Sequence, residues 1–207
     1  MRKPMNKIKT PHFYFKAIGF KSAKLVQFGN VELVKGHNQE DYGEKNDCTI
    51  ISIATLIEYL IERTEDFEII YKTVVANINP KWLYSGDVYG TIPLFINCIL
   101  NRNLQYFGLE EFKSKHNYIK SLGYDNQNII KLLDNGVPVI INLSGNNKDY
   151  YKNHTVLIIG YLIYKDQYGA KKILMKVYDN WSSKVRYLDY NCIPKISSIN
   201  YITKSNK

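Results

Sequence analysis

Long apolar runs are missing from this 207-residue chain. The longest candidates, Val137–Leu143 and Val156–Ile163, have the length of strands and fall far short of the roughly 18 residues a bilayer-crossing helix needs. No membrane span is therefore expected. The N-terminal charges Arg2, Lys3, Lys7 and Lys9 are followed by no apolar stretch, so no secretory signal is recognised and the expected location is cytoplasmic. Cysteine is scarce too. Cys48, Cys98 and Cys192 are odd in number, widely spaced and without a C-x-x-C pair, which argues against a structural zinc site or a disulfide framework. Three thiols suit a reducing compartment or a free cysteine kept for a purpose. Internal repeats and low-complexity blocks are absent.

Acids are nearly missing from one end. Residues 1–35 hold eight Lys or Arg against one Glu, and so carry seven of the nine net positive charges; the other 172 residues carry two. This divides the chain into a basic N-terminal arm or leader at 1–35, partly ordered, and a near-neutral domain at 36–207. Such an arm could touch an anionic surface, but no groove-reading module is visible, so nucleic acid is set aside as the main partner. What remains is ordinary for a globular domain: 45% apolar and 23% charged residues, in a chain long enough to bury about 70% of its extended surface.

Helical spacing dominates the first half. Between Cys48 and Ile61 the apolar positions Ile50, Ile51, Ile53, Ala54, Ile57, Leu60 and Ile61 cover most of a helix circumference, which predicts a deeply buried helix with Asn46 or Asp47 as its cap. Further helices are expected near Asp66–Asn77, Thr91–Asn101, Leu109–Leu122 and Asp125–Asn135, the last capped by Asp125 and ended by Gly136. Phe13, Tyr14, Phe15 and Phe20 could lay a strand or arm on the body. After Gly136 the period changes. Val137–Leu143, Thr155–Ile163, Ile173–Tyr178 and Val185–Tyr190 read as strands. Helices first and strands afterwards define an α+β domain, a helical half against an antiparallel sheet, with ligands expected between the layers.

Three places could carry chemistry. Cys48 opens a helix, where unpaired N–H groups and the positive end of the dipole favour thiolate over thiol. Asp47 beside it is expected to turn away as a cap. Read plainly, Cys48 is a small buried apolar residue; Cys98 and Cys192 lack even its setting. His154 follows the polar loop 144–153 and starts a strand, where a side chain can face a cleft. His12, His37 and His116 are less well placed, and any lone histidine is more often a hydrogen-bonded structural residue. Asp179-Asn180-Trp181 ends the next strand. There a carboxylate or amide could hold an imidazole in one tautomer, and Trp181 could shield that bond. The plain alternative is a type I turn.

Together these segments resemble a papain-like cysteine peptidase of the C39-like, bacteriocin-processing-type branch. The resemblance rests on Asn46-Asp47-Cys48-Thr49 at the helix start and on Asn153-His154-Thr155 running to Gly160-Tyr161. It rests further on Val177-Tyr178-Asp179-Asn180-Trp181, with support from Asn135–Ile141 and from Tyr89-Gly90-Thr91-Ile92-Pro93. It spans about residues 36–190. The resemblance implies a papain-like cysteine proteinase fold with Cys48 as nucleophile, His154 as base and Asp179 as orienting group, Asn180 being the fallback. One departure concerns the oxyanion hole. The glutamine expected a few residues before the cysteine is replaced at its usual place by Tyr42, while Gln39 lies nine residues upstream. Either the loop 40–45 carries an insertion, or Asn46 supplies the donor; one such donor is worth about 3–4 kcal/mol of barrier.

The implied function is peptidase- or amidase-type hydrolysis, or acyl transfer, through a thioester on Cys48. The substrate would be a peptide or an amide-containing small molecule in an interlobe cleft, and no metal or cofactor is required. Two rival readings are a catalytically inactive papain-like binding module and a nucleic-acid binder acting through residues 1–35.

Overall fold

The computed structural model describes residues 8–43, 45–62, 64–87, 90–119, 126–144, 151, 153–194 and 196–205. In chain order its helices are α1 (Pro11–Ile18), α2 (Cys48–Leu60), α3 (Phe67–Ala76), α4 (Ile96–Tyr106) and α5 (Asn126–Asp134). Its strands are β1 (Lys24–Asn30), β2 (Tyr84–Ser85), β3 (Gly90–Thr91), β4 (Phe112–Tyr118), β5 (Val139–Leu143), β6 (His154–Lys165), β7 (Lys171–Tyr178), β8 (Val185–Asp189) and β9 (Ser198–Lys204).

Strand β6 is the spine of the sheet. Its β-branched and aromatic sequence, HTVLIIGYLIYK, is buried without a break from His154 to Tyr161, as a strand covered on both faces requires. The sheet runs β4-β9-β5-β6-β7-β8, with β1 also on β6, and every pairing is antiparallel. One edge of β6 is shared: β5 pairs with residues 154–158 and β1 with 160–165. Gly160 lets β1 come close, since a Cβ there would stand 2.5 Å from the carbonyl oxygen of Gly29. A register shift between Ile158 and Gly160 on the β7 side falls at the same place.

Helix α2 is the centre of the helical half. Residues Thr49 to Glu58 are all buried, because the helix is wrapped by α3, α4, β5 and β6. Its one buried acid, Glu58, meets His37 Nε2 at 2.8 Å, and the His37 ring stacks on Phe67 at 3.4 Å. Helix α3 starts where Asp66 accepts from the Glu68 N–H at 2.8 Å. Helix α5 ends at Gly136, whose φ of 72° is the left-handed stop expected of a glycine there.

Four expectations change. The stretch expected as a helix near Leu109–Leu122 is strand β4, because it pairs along its whole length with β9, an element the sequence reading left unassigned. Its alternation is polar on both faces, and the partner lies more than 80 residues away, so local periodicity is a poor guide. Helix α4 begins at Ile96 instead of Thr91, since Pro93 opens a short 3-10 turn, Pro93–Phe95, before it. Residues of the basic segment form α1 and β1. Tyr14 and Phe15 of α1 pack with Ile8 and Leu174 on the sheet, and Tyr14 hydrogen-bonds the buried Asp189. His116, within the stretch expected as a helix, therefore lies on a strand, β4. The Asp125 cap, residues 120–122, Tyr89 and loop residues 145–150 and 152 lie outside the described residues.

Candidate active site

Cys48 is the first residue of α2, and part of its surface stays open although protein atoms surround most of it. Asp47 turns away from it, as expected, but not as a cap. Its buried carboxylate accepts the hydroxyls of Tyr71 and Tyr84, and no side-chain cap bond forms. Two influences meet at the sulfur. Burial pushes the Cys48 thiol up from its ordinary range, and hydrogen bonds from Thr155 and Thr49 oppose that rise. The helix N-terminus adds a further pull toward thiolate.

His154 opens β6, paired opposite Leu143. Its Nε2 lies 2.7 Å from the main-chain oxygen of Asp179. A carbonyl can only accept, so Nε2 is the protonated nitrogen and the neutral ring carries its lone pair on Nδ1. The imidazole is stacked on Trp181 at 4.0 Å and 22°, with Tyr151 on a nearly parallel plane at 5.2 Å. Asp179 thus engages the ring through its carbonyl. Its carboxylate takes the Tyr151 hydroxyl at 3.2 Å and the Trp181 main-chain N–H at 3.3 Å, which ties Tyr151 to the backbone that carries Trp181, the two residues whose rings lie beside the imidazole. Burial and that carboxylate push the Tyr151 hydroxyl far up, so it remains a proton donor.

Asn180 is a junction. Its φ of 60° lies in the left-handed region that asparagine tolerates. Buried to 1% exposure, its Nδ2 donates toward the Cys48 carbonyl (2.7 Å), Ser52 Oγ (2.8 Å) and the Thr155 carbonyl (3.0 Å). Its own carbonyl accepts the Gln39 N–H at 2.8 Å. The start of α2, the start of β6 and the Gln39 turn are thereby pinned to one residue.

Gln39, Asn46, Cys48, His154 and Trp181 line one cleft of about 160 Å³. Larger surface cavities of about 560 and 530 Å³ lie beside α1 and beside Leu33 and Tyr59, and they contain neither Cys48 nor His154. Gln39 reaches the cleft in spite of its distance in sequence because residues 39–43 fold into a tight turn, closed by Gly43 N–H to the Gln39 carbonyl at 2.8 Å. Its Nε2 donates to the Lys45 carbonyl at 2.8 Å. Tyr42 packs against His37 and Phe67. Across the cleft, Gly90 has φ +69°, and a Cβ on it would meet the Asn46 carbonyl oxygen at 2.7 Å.

The sequence reading missed the polar chain beneath the sulfur. Ser144 donates to Asn142, Asn142 Nδ2 donates to Thr155 Oγ1 at 3.0 Å, and Thr155 shares a proton with Thr49 at 2.7 Å. Threonines next to a cysteine and a histidine carry no signal of their own. Cys98 and Cys192 lie elsewhere, the first exposed on α4 and the second half-buried in a short turn after β8. Among the described residues no group of three or more His, Cys, Asp or Glu converges as a metal site would require, and no helix is long and apolar enough to cross a membrane.

This arrangement of cysteine helix, histidine strand and cleft defines a cysteine-peptidase-type protein of α+β, papain-like fold. The chain belongs to the Peptidase_C39 like family, whose model matches residues 31–201. Among solved structures it is similar to SERA5E from Plasmodium falciparum, with a TM-score of 0.53 and 13% identity over 86% of this chain and 94% of that one. At that identity the likeness speaks for the fold alone. No curated protein matches the chain.

Proposed function

We propose that the protein is a cysteine-dependent acyl hydrolase or acyltransferase, acting on a peptide or amide carbonyl through a thioester on Cys48. The observation that carries this reading is the convergence of Cys48 and His154 on one cleft, with the imidazole tautomer set by the Asp179 carbonyl. His154 takes the thiol proton at Nδ1, and the sulfur attacks the carbonyl carbon. The Cys48 N–H, with the side chain of Gln39 or Asn46, receives the developing oxyanion. The proton then passes from His154 to the departing amine as the C–N bond breaks. Water, deprotonated by the same nitrogen, releases the acid and restores the thiol; an amine in its place gives acyl transfer. Asp179 acts as a positioning residue, through its main chain on the imidazole and through its carboxylate on the Tyr151 hydroxyl and the Trp181 main-chain N–H.

Cys48→Ala and His154→Ala should each abolish labelling by a thiol-directed acyl probe, read by intact-protein mass spectrometry. Undiminished labelling of either variant rejects the assignment. A second reading, a binding module that keeps the fold without the chemistry, is favoured by the burial that raises the Cys48 thiol.

A further inference from the structure

Far from the cleft, the end of the sheet carries an arrangement that the chemistry above does not use. Lys24 of β1, Lys165 of β6 and Lys171 of β7 are directly opposite one another across three neighbouring strands. Directly opposed residues share a face, and like charges so placed repel. All three are exposed, and none forms an ion pair among the described residues. The acid next in sequence, Asp166, spends its Oδ1 on the N–H groups of Tyr168 and Ala170 in the turn.

The row borders a groove of about 320 Å³ between the sheet and α5. Ile163 and Ile173 form its floor, Ile130 and Lys131 of α5 its far wall, and Lys171 and Gln27 its near wall. The first residues of α5, at the positive end of that helix, also line it. Among the described residues, no Asp, Glu or aromatic residue is in the lining.

We propose that this groove is a docking site for an acidic peptide segment of a partner protein, one that carries aliphatic side chains between its carboxylates. Charge complementarity identifies the occupant. Four lysines, three of them in a mutually repelling row, are relieved by carboxylates. The row spans three strands, about 10 Å, which is wider than a single phosphate group. Aliphatic floor residues and side-chain amides suit a peptide's side chains and main chain. Single-stranded nucleic acid calls for aromatic platforms on which bases stack, and the described residues of this lining include none. Strand β1, which supplies Lys24 and Gln27, lies before the span matched by the family, so one of the three lysines of the row comes from outside that span.

The test uses the full chain and a fluorescein-labelled peptide of three Glu-Glu-Ile repeats, followed by fluorescence anisotropy. Its comparators are the Gln-Gln-Ile peptide and an oligothymidylate of the same number of units. The acidic peptide should bind with an affinity that falls as salt rises, and at least about tenfold more tightly than either comparator. Lys165→Glu and Lys171→Glu should each weaken it about tenfold or more, whereas Lys113→Glu on β4 should leave it unchanged. Cys48 labelling should be intact in all three, which separates this site from the acyl chemistry. Equal binding by Lys165→Glu, or an oligonucleotide that binds as tightly as the peptide, overturns the proposal. Should the reversals fail to fold, Lys165→Gln decides: it removes one of three opposed charges, so it should raise the melting temperature and weaken the peptide severalfold. Unchanged peptide affinity there also overturns it.

Discussion

Asp179 joins the imidazole through an atom that no side-chain substitution removes. Where a buried carboxylate is bonded straight to a catalytic imidazole, amidation of that acid lowers turnover by about 10⁴-fold. Here Asp179→Asn retains the carbonyl contact with His154 Nε2 and keeps one of the two side-chain acceptors, Oδ2 serving the Tyr151 hydroxyl and Oδ1 the Trp181 main-chain N–H, while the amide nitrogen takes the place of the other. The expected loss of acyl-probe labelling rate is therefore less than about tenfold, whereas His154→Ala stops labelling altogether; a loss near 10⁴ in Asp179→Asn would contradict the geometry. The sulfur supplies a second prediction at this scale. Because burial raises the Cys48 thiol, less thiolate is present at neutral pH than in an exposed cysteine. Alkylation of Cys48 by iodoacetamide should thus be slower than that of exposed Cys98 near neutrality, and should climb with pH to a midpoint above the ordinary thiol range of about 8.5. Peptide mapping of the alkylated chain across a pH series measures both.

The elements that carry the site are held by one amide. Asn180→Ala would remove the Nδ2 bonds to the Cys48 carbonyl, Ser52 Oγ and the Thr155 carbonyl in a buried place, leaving Ser52 Oγ on the Cys48 carbonyl, and put alanine into a left-handed backbone. An expected loss of about 2–3 kcal/mol in unfolding free energy follows from the lost bonds, and denaturant titration reads it. Labelling of Cys48 should fall further than stability alone accounts for, because α2 and β6 lose their common anchor. Much of this was legible. The apolar run after Cys48 announced a buried helix, and the change of period after Gly136 announced β5 to β8. Strand β4 was not legible, since its stabilisation comes from β9 at the other end of the chain and its own alternation is weak. Gln39 was visible as a residue but not as a neighbour of Cys48, for only the turn closed by Gly43 brings it there. The Asp179 contact was legible in position and not in kind: sequence names side chains, and the imidazole meets the main chain.

At the scale of the molecule, the basic segment contributes α1, which packs on the sheet, and β1, which pairs with β6. Phe15 is 5% exposed and packs edge-on against Tyr164 at 4.6 Å, in a small apolar cluster with Ile8, Tyr14 and Leu174. Phe15→Ala should lower the unfolding free energy by about 3–5 kcal/mol, and a change within experimental error in a denaturant titration would mean that α1 is only loosely applied. Charge counting alone marked this region as an arm because lysines on exposed faces mask the aromatic residues beneath them.

One long strand connects two places of different chemistry. From His154 to Lys165, β6 advances eleven residues, about 36 Å of extended chain, paired with β5 and then β1 along one edge and with β7 along the other from Leu157 onward. Such a strand works as a fixed ruler: it slides only by breaking its bonds with three neighbours. A single polypeptide that engaged both ends would need about ten extended residues between the bond presented to the sulfur and its acidic stretch, and shortening that spacer would uncouple the two ends without altering either.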